Sequence, residues 1–349
     1  MSKRVLISGA SVSGPSLAYW LVRQGWDVTV VERAPRLRAD GYAVDFRGDA
    51  LGLLEDMGIL DEVRGHETHM LGTDLIDADG VRTGELPAEA FAGELEVPKP
   101  DLTRILHRIT ADDVHYVFDD SISALAQDGT GVHVEFERGR PADFDLAVGA
   151  DGVYSTVRRL AFGPHQEFVK HLGMSGAYFT TANHLGLDHR GLLYTAPGHA
   201  VYTFSSDDPD RLKVSLSFAT DSADVDRLDR ARQEDLARAA CADAGWEVPH
   251  LLKEMTAATD YFFASACQVE LDRWSDGRVV LVGDAGYCAA PTSGMGTSQA
   301  LIGAHTLAAR LARHGGDHTT AFCEYEKQLR PYVAANQEIG REGAKRFGA

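Results

Sequence analysis

Basic residues are scarce in this chain: 34 Lys and Arg stand against 52 Asp and Glu in 349 residues, a formal charge of −18. That imbalance repels nucleic-acid phosphates and anionic membrane surfaces, so neither is expected as a partner. Cysteine is scarcer still. Cys241, Cys267, Cys288 and Cys323 lie far apart in sequence with no CxxC pair, which suggests neither a zinc cluster nor a redox dithiol and fits a reducing cytoplasm. No metal site is expected. No stretch approaches the ~20 apolar residues that a membrane span needs. The opening MSKRVLISGASVSG imitates a signal peptide, but its apolar part is only Val5-Leu6-Ile7, too short for an export signal. An unexported, cytoplasmic protein is expected. Repeats, low-complexity tracts and Pro-rich linkers are also missing, so any second domain is expected as an insertion in the first.

What is present reads as a globular chain, 44% hydrophobic and 25% charged, long enough for about two domains. Residues 3–8 form a short apolar run, a Gly-rich turn follows, and Pro15 to Gln24 has helical spacing that Gly25 stops. A second strand-like run, Trp26 to Val31, ends at Glu32. This is a βαβ beginning and implies a parallel sheet. A strand or loop leading into an amphipathic helix is expected over about 41–64, a hairpin around Asp79-Gly80, a helix over 101–109, and strands at 132–137 and 144–148. Between about 163 and 265 alternating stretches such as 200–204 and 212–218 suggest an antiparallel sheet with one wet or pocket-facing side. A helix is expected over roughly 222–244, a strand at 278–282, and two helices at about 297–313 and 317–345.

Three turns carry chemistry. The first, Gly9-Ala10-Ser11-Val12-Ser13-Gly14, joins strand to helix, where backbone amides and a helix N-terminus can hold a dinucleotide pyrophosphate. Gly9 and Gly14 fit the GxGxxG pattern, and Ser11 replaces its middle glycine. Glu32, at the end of the second strand, stands where a ribose hydroxyl pair would lie, and an acid there favours an unphosphorylated ribose, as in FAD or NAD. Arg33 is beside it. The second turn is Gly149-Ala150-Asp151-Gly152, and the third is Gly283-Asp284, which follows the strand and leads into a loop of small residues through Pro291, Gly294 and Gly296. In a doubly wound sheet such turns gather beyond the carboxyl ends of the strands.

With these motifs the chain resembles the single-component, class A flavoprotein monooxygenases, the group of para-hydroxybenzoate hydroxylase and the tetracycline-inactivating monooxygenases, over most of its length. The resemblance implies an α/β fold: a Rossmann-like FAD-binding domain of glutathione reductase type (1–70, 98–162 and 266–349) with an inserted α+β substrate domain containing a mostly antiparallel sheet (71–97 and 163–265). It implies FAD held by Gly9, Ser11, Gly14, Glu32, Arg33, Lys99, Asp151, Asp284, Pro291, Gly294 and Gly296. Asp284 would accept hydrogen bonds from the ribityl chain, and the Pro291–Gly296 amides would face the flavin's pyrimidine edge. The family's Gly-Asp-Ala-Ala-His reads Gly283-Asp284-Ala285-Gly286-Tyr287 here, its usual Asn is Ser298, and its usual Arg is Lys99, a point charge without the guanidinium fork. Arg47 is expected either to contact flavin or substrate or to form a surface ion pair, and Arg158 to support the Asp-Gly motif.

The implied reaction uses NADH or NADPH as a transient co-substrate and O2, by way of a flavin C4a-hydroperoxide, to hydroxylate an aromatic, phenolic or polycyclic small molecule. The cofactor carries that chemistry, so no catalytic side chain is singled out. A flavin-dependent oxidase or dehydrogenase and a non-catalytic FAD- and ligand-binding protein stand as alternatives. Tyr178, Tyr194, Tyr202, Phe204 and Phe218 either line the pocket or belong to the core of the inserted sheet. No additional C-terminal domain is expected after Arg330-Pro331-Tyr332.

Overall fold

The computed structural model describes residues 3–37, 42–206 and 208–346. Met1 and Ser2 of the signal-like opening, and Gly41 at the start of the expected 41–64 stretch, lie outside them. The first half of the chain runs β1 (Arg4–Ser8), α1 (Ser13–Arg23), β2 (Asp27–Glu32), β3 (Ala43–Phe46), α2 (Asp49–Asp56), α3 (Leu60–Arg64), β4 (Thr73–Ile76), β5 (Arg82–Leu86), α4 (Glu89–Ala92) and β6 (Leu95–Pro98). It continues through α5 (Lys99–Arg108), β7 (His115–Phe118), β8 (Ile122–Gln127), β9 (Val132–Phe136), β10 (Ala142–Phe144), β11 (Leu146–Gly149), α6 (Thr156–Ala161) and α7 (His165–Phe168). The second half holds β12 (Val169–Ala182), β13 (Arg190–Ala196), β14 (His199–Ser205), β15 (Arg211–Ala219), α8 (Arg230–Ala240), α9 (Val248–Ala257) and β16 (Phe262–Val269). It closes with β17 (Ser275–Asp276), β18 (Val279–Leu281), α10 (Asp284–Tyr287), α11 (Gly296–Arg313) and α12 (His318–Arg346).

Burial explains the βαβ beginning. Val5, Leu6 and Ile7 are fully buried and Val28, Val30 and Val31 nearly so, which is what a parallel strand covered on both faces requires. The sheet has the order β17-β18-β11-β1-β2-β7, parallel except for the pair β17-β18. From β1 the chain goes to β2 on one side and later returns to β11 and β18 on the other, so strand order reverses at β1. Ligands gather at such a switch point. Register sharpens the statement: Ser8 stands beside Val31 and Gly149, and Gly149 beside Leu281. The turns that follow these strands therefore leave the sheet along one edge. A single core joins this sheet to α1, α11, α12 and the three-stranded sheet β10-β9-β8.

A seven-stranded sheet, ordered β16-β12-β15-β14-β13-β4-β5, contains the expected alternating strands and the Asp79-Gly80 hairpin. Its pairs are antiparallel except β13 with β4. One face packs Phe179, Tyr194, Val201, Leu212, Leu216 and Phe218 against α8 and α9. The residues between them, Tyr178, Ser215 and Tyr202 in register, followed by Lys213 opposite Phe204, point from the other face.

Two expected elements differ. The 222–244 helix is broken into a 3-10 turn, Ala223–Arg227, and α8, because Asp229 takes extended backbone and accepts the Arg232 N–H as an N-cap. The 41–64 helix is two short helices, α2 and α3, interrupted at Gly58 in left-handed backbone (φ 72°).

Candidate functional site

The three turns touch one another. A Cβ on Gly9 (φ 108°) would lie 2.4 Å from the Ala150 carbonyl oxygen, one on Gly14 would lie 1.9 Å from the Gly9 carbonyl oxygen, and one on Gly283 would lie 2.2 Å from Ser13 Oγ. Only glycine allows the first turn to close against the second, and the third against the start of α1. Ser11, the middle position of the motif, is exposed, so no packing demands glycine there.

Each acid in these turns has a distinct setting. Glu32 clamps the first turn: its Oε2 accepts the Ala10 N–H and its Oε1 the Ala34 N–H, both at 2.9 Å. Each oxygen keeps a further lone pair for a ribose hydroxyl. Arg33 is directed elsewhere, donating from Nη2 to Thr156 Oγ1 at 2.8 Å and tying β2 to the start of α6. Asp151 accepts from the hydroxyls of Ser8 and Ser155 and from the amides of Thr156 (2.8 Å) and Val157 (3.2 Å). Burial still pushes its carboxyl above the usual carboxylate range. Asp284, the first residue of α10, is raised for the same reason, with Lys99 acting against the shift. The Cys288 side chain lies near enough to act on it, and part of its surface stays open. An under-partnered carboxylate at this edge is suited to accept hydroxyl donors.

Arg158 joins the second turn to the third. It is fully buried, donating from Nη1 to the Ala285 carbonyl at 2.8 Å and from Nη2 to the Val153 carbonyl at 2.5 Å, and burial lowers its guanidinium to about 10. It is a cross-brace, in keeping with the supporting role expected of it.

The third turn continues through Ala290, whose φ of 75° is unusual for a residue with a Cβ, into the 3-10 turn Pro291–Ser293, left-handed Gly294 and the start of α11 at Gly296. The N-termini of α11 and of α1 both lack a side-chain cap, so their first amides face this edge with the positive ends of two helix dipoles. A Cβ on Gly294 would lie 3.2 Å from Asp45 Oδ2 and 3.6 Å from Arg47 Nη2. Arg47 is thus in the cleft, paired with Asp45 at 2.7 Å, and its amide donates to Ser298 Oγ at 2.9 Å. Lys99 opens α5 with Nζ 5.3 Å from the Tyr42 ring centre. Tyr42 faces Tyr178 at 6.2 Å, and Tyr178 faces Phe262 at 5.9 Å. Phe91, Tyr202 and Phe204 form a nearly parallel series at 4.8 and 5.2 Å. Of the five aromatics considered from sequence, Tyr178, Tyr202 and Phe204 therefore share one face, whereas Tyr194 and Phe218 belong to the core beneath the helices.

Sequence reasoning passed over Asp45, Glu96, Thr68 and Phe91, since nothing in their spacing marks them; the β3-β6 pairing brings Asp45 and Glu96 together. It also left Cys267 and Cys288 as distant, yet Cys288 Sγ donates to the Cys267 carbonyl at 3.4 Å. Burial raises the Cys267 thiol to about 12 and the Cys288 thiol further, so neither is a ready nucleophile. Two surface hollows, one beside Arg238 and Leu252 and one beside Leu125 and His133, involve none of the three turns.

Comparison with known proteins agrees with this geometry. A family model described as FAD binding domain matches residues 2–336. A flavin-dependent monooxygenase of Legionella longbeachae is 35% identical over 346 residues, covering 97% of this chain and 89% of the relative. An uncharacterised Mycobacterium tuberculosis protein is 41% identical over 341 residues, covering 96% and 92%. Among solved structures, the tetracycline destructase Tet(55) superposes with a TM-score of 0.91 at 36% identity, covering 100% of this chain and 90% of that one.

Proposed function

Because this chain belongs to the FAD binding domain family together with flavin-dependent monooxygenases, we propose that it hydroxylates an aromatic, phenolic or polycyclic small molecule using FAD, NAD(P)H and O2. The balance is substrate–H + O2 + NAD(P)H + H⁺ giving substrate–OH + H2O + NAD(P)⁺. The observation that carries the reading is the mutual contact of the three turns at the carboxyl edge of a parallel sheet.

The residues fit the cofactor. Gly9, Ser11 and Gly14 would lie along the pyrophosphate, with the uncapped start of α1 supplying amides. Glu32 would meet the adenosine ribose and Asp284 the ribityl hydroxyls. Pro291, Gly294 and Gly296 would bring peptide amides to the ring, and Lys99 would neutralise charge beside Asp284. Asp151 and Arg33 act one step back, as braces of the turn and of α6. When bound, FAD supplies the redox chemistry and the activation of O2. The chain's own work is to bind, orient and exclude water around the substrate, which we place against Tyr178, Tyr202 and Phe204. The name of the Tet(55) relative supports a polycyclic substrate.

The test is turnover under ¹⁸O2 with NADH or NADPH and a panel of phenols and tetracyclines, read by product mass. One heavy oxygen per product molecule supports the proposal. Oxygen appearing only as hydrogen peroxide supports an oxidase, and tight FAD binding without turnover supports a binding protein.

A further inference from the structure

The β3-β6 ribbon carries a buried side and a polar side. Val44, Phe46, Leu95 and Val97 enter a hydrophobic core, and strand alternation turns Asp45 and its cross-strand partner Glu96 the other way. Asp45 is occupied by Arg47 and abuts Gly294 of the third turn. Glu96 is half used. Its Oε1 accepts the Thr68 hydroxyl at 2.7 Å, and among the described residues no donor reaches Oε2. Across from it stand Lys213 and Tyr202, close enough for the charges of Lys213 and Arg47 to act on Glu96 and for Glu96 to act on Tyr202. Tyr202 is the middle ring of the Phe91-Tyr202-Phe204 series.

We infer that Glu96 determines substrate specificity: Oε2 accepts a hydrogen bond from a phenolic hydroxyl of an aromatic substrate whose ring lies beside Phe91 and Tyr202. The inference rests on the monooxygenase reading above for the nature of the cleft. Charge decides between a hydroxyl and an ammonium group. Arg47 pairs with Asp45 at 2.7 Å, and the positive charges of Arg47 and Lys213 both act on Glu96, so an added cation would enter a field that already holds two and gains little, whereas a neutral donor satisfies the open oxygen. A carboxylated ring would instead meet two carboxylates. Desolvation raises Glu96 above the usual glutamate range. The groups facing it are Asp45 and Arg47 from the β3 end, Thr68 before β4, Tyr202 from β14 and Lys213 from β15.

The probes are 2-naphthol and its methyl ether, 2-methoxynaphthalene, with Kd measured by calorimetry on the FAD-loaded protein. A hydrogen bond to a charged acceptor corresponds to roughly a tenfold to hundredfold preference for the naphthol. Glu96→Gln is expected to shrink that preference to within about threefold and to leave the ether's Kd unchanged. In the unsubstituted protein the preference also falls as pH drops through the raised Glu96 pKa, a limb the Gln variant lacks. Equal binding of the two probes, no binding of either, or a preference that survives Glu96→Gln overturns the inference. The visible flavin band of each sample separates the two levels. Protein that takes up no flavin refutes the function proposed above, whereas flavin-loaded protein indifferent to the hydroxyl refutes only the role of Glu96.

Discussion

Adding one methyl group at Gly9 tests the contact between the first and second turns. Gly9 has φ 108°, where a side chain is strained, and the new Cβ would lie 2.4 Å from the Ala150 carbonyl oxygen and 2.8 Å from its carbon. These are backbone atoms at the end of β11, whose Ala150 amide is itself bonded to Ser8, so they cannot rotate away as a side chain would. Backbone strain of about 1–3 kcal/mol and overpacking of about 1–3 kcal/mol together give about 2–6 kcal/mol for Gly9→Ala. At roughly 2 °C per kcal/mol for a chain of this size, melting should fall by about 4–12 °C. The assay is a thermal melt with and without added FAD, beside Ser11→Gly, which restores the usual glycine at an exposed position and should melt within about 1 °C of the parent. The variant should also lose most of the upward shift that FAD gives the parent, because opening the turn moves the amides off the pyrophosphate. Gly9→Ala protein that melts like the parent and keeps its full FAD shift would refute the argument.

Further predictions follow from neighbouring groups. Asp284→Ala should weaken FAD retention on gel filtration at least tenfold, by loss of about 1.5–3 kcal/mol of charged hydrogen bonding, while far-ultraviolet circular dichroism stays unchanged. Tyr325→Phe removes a buried hydroxyl that donates to the Leu281 carbonyl at 3.0 Å and lies 2.8 Å from the Tyr287 hydroxyl; urea unfolding should show a loss of about 1–3 kcal/mol. His133 lies between Asp143 (2.7 Å) and Asp128 (3.1 Å), which raise its pKa above the ordinary 6.5. A raised folded-state pKa stabilises below the unfolded value and is lost as pH rises through the folded value. His133→Gln should therefore lower the melting temperature at pH 5.5 and have no effect at pH 9.

The parts of this site written in local sterics were legible from sequence. Gly9 and Gly14 are glycines because a backbone carbonyl occupies the place of a Cβ, and a strand-turn-helix reading finds such positions without coordinates. Asp284 was legible for a similar reason, since it follows a fully buried strand at a Gly-Asp step. Tertiary pairing was not legible. Asp45 and Glu96 are 51 positions apart on two four-residue strands, too short to show a period, and only their pairing makes them neighbours. The 14-residue strand β12 escaped detection because an irregularity between His171 and Ser175 shifts its register against β16, breaking the alternation that announces a strand. The bond from Arg33 to Thr156 was equally hidden, because it joins residues 123 positions apart.

The most direct measurement is a titration of FAD into flavin-free protein, followed by quenching of flavin fluorescence, with the three turns opened one at a time by Gly9→Ala, Asp151→Ala and Asp284→Ala. One FAD per chain is expected in the parent and weaker binding in all three variants, since Gly9, Asp151 and Asp284, each more than 130 positions from the next, close on one ligand. Parent protein that binds no FAD, or variants that bind it as tightly as the parent, would contradict it.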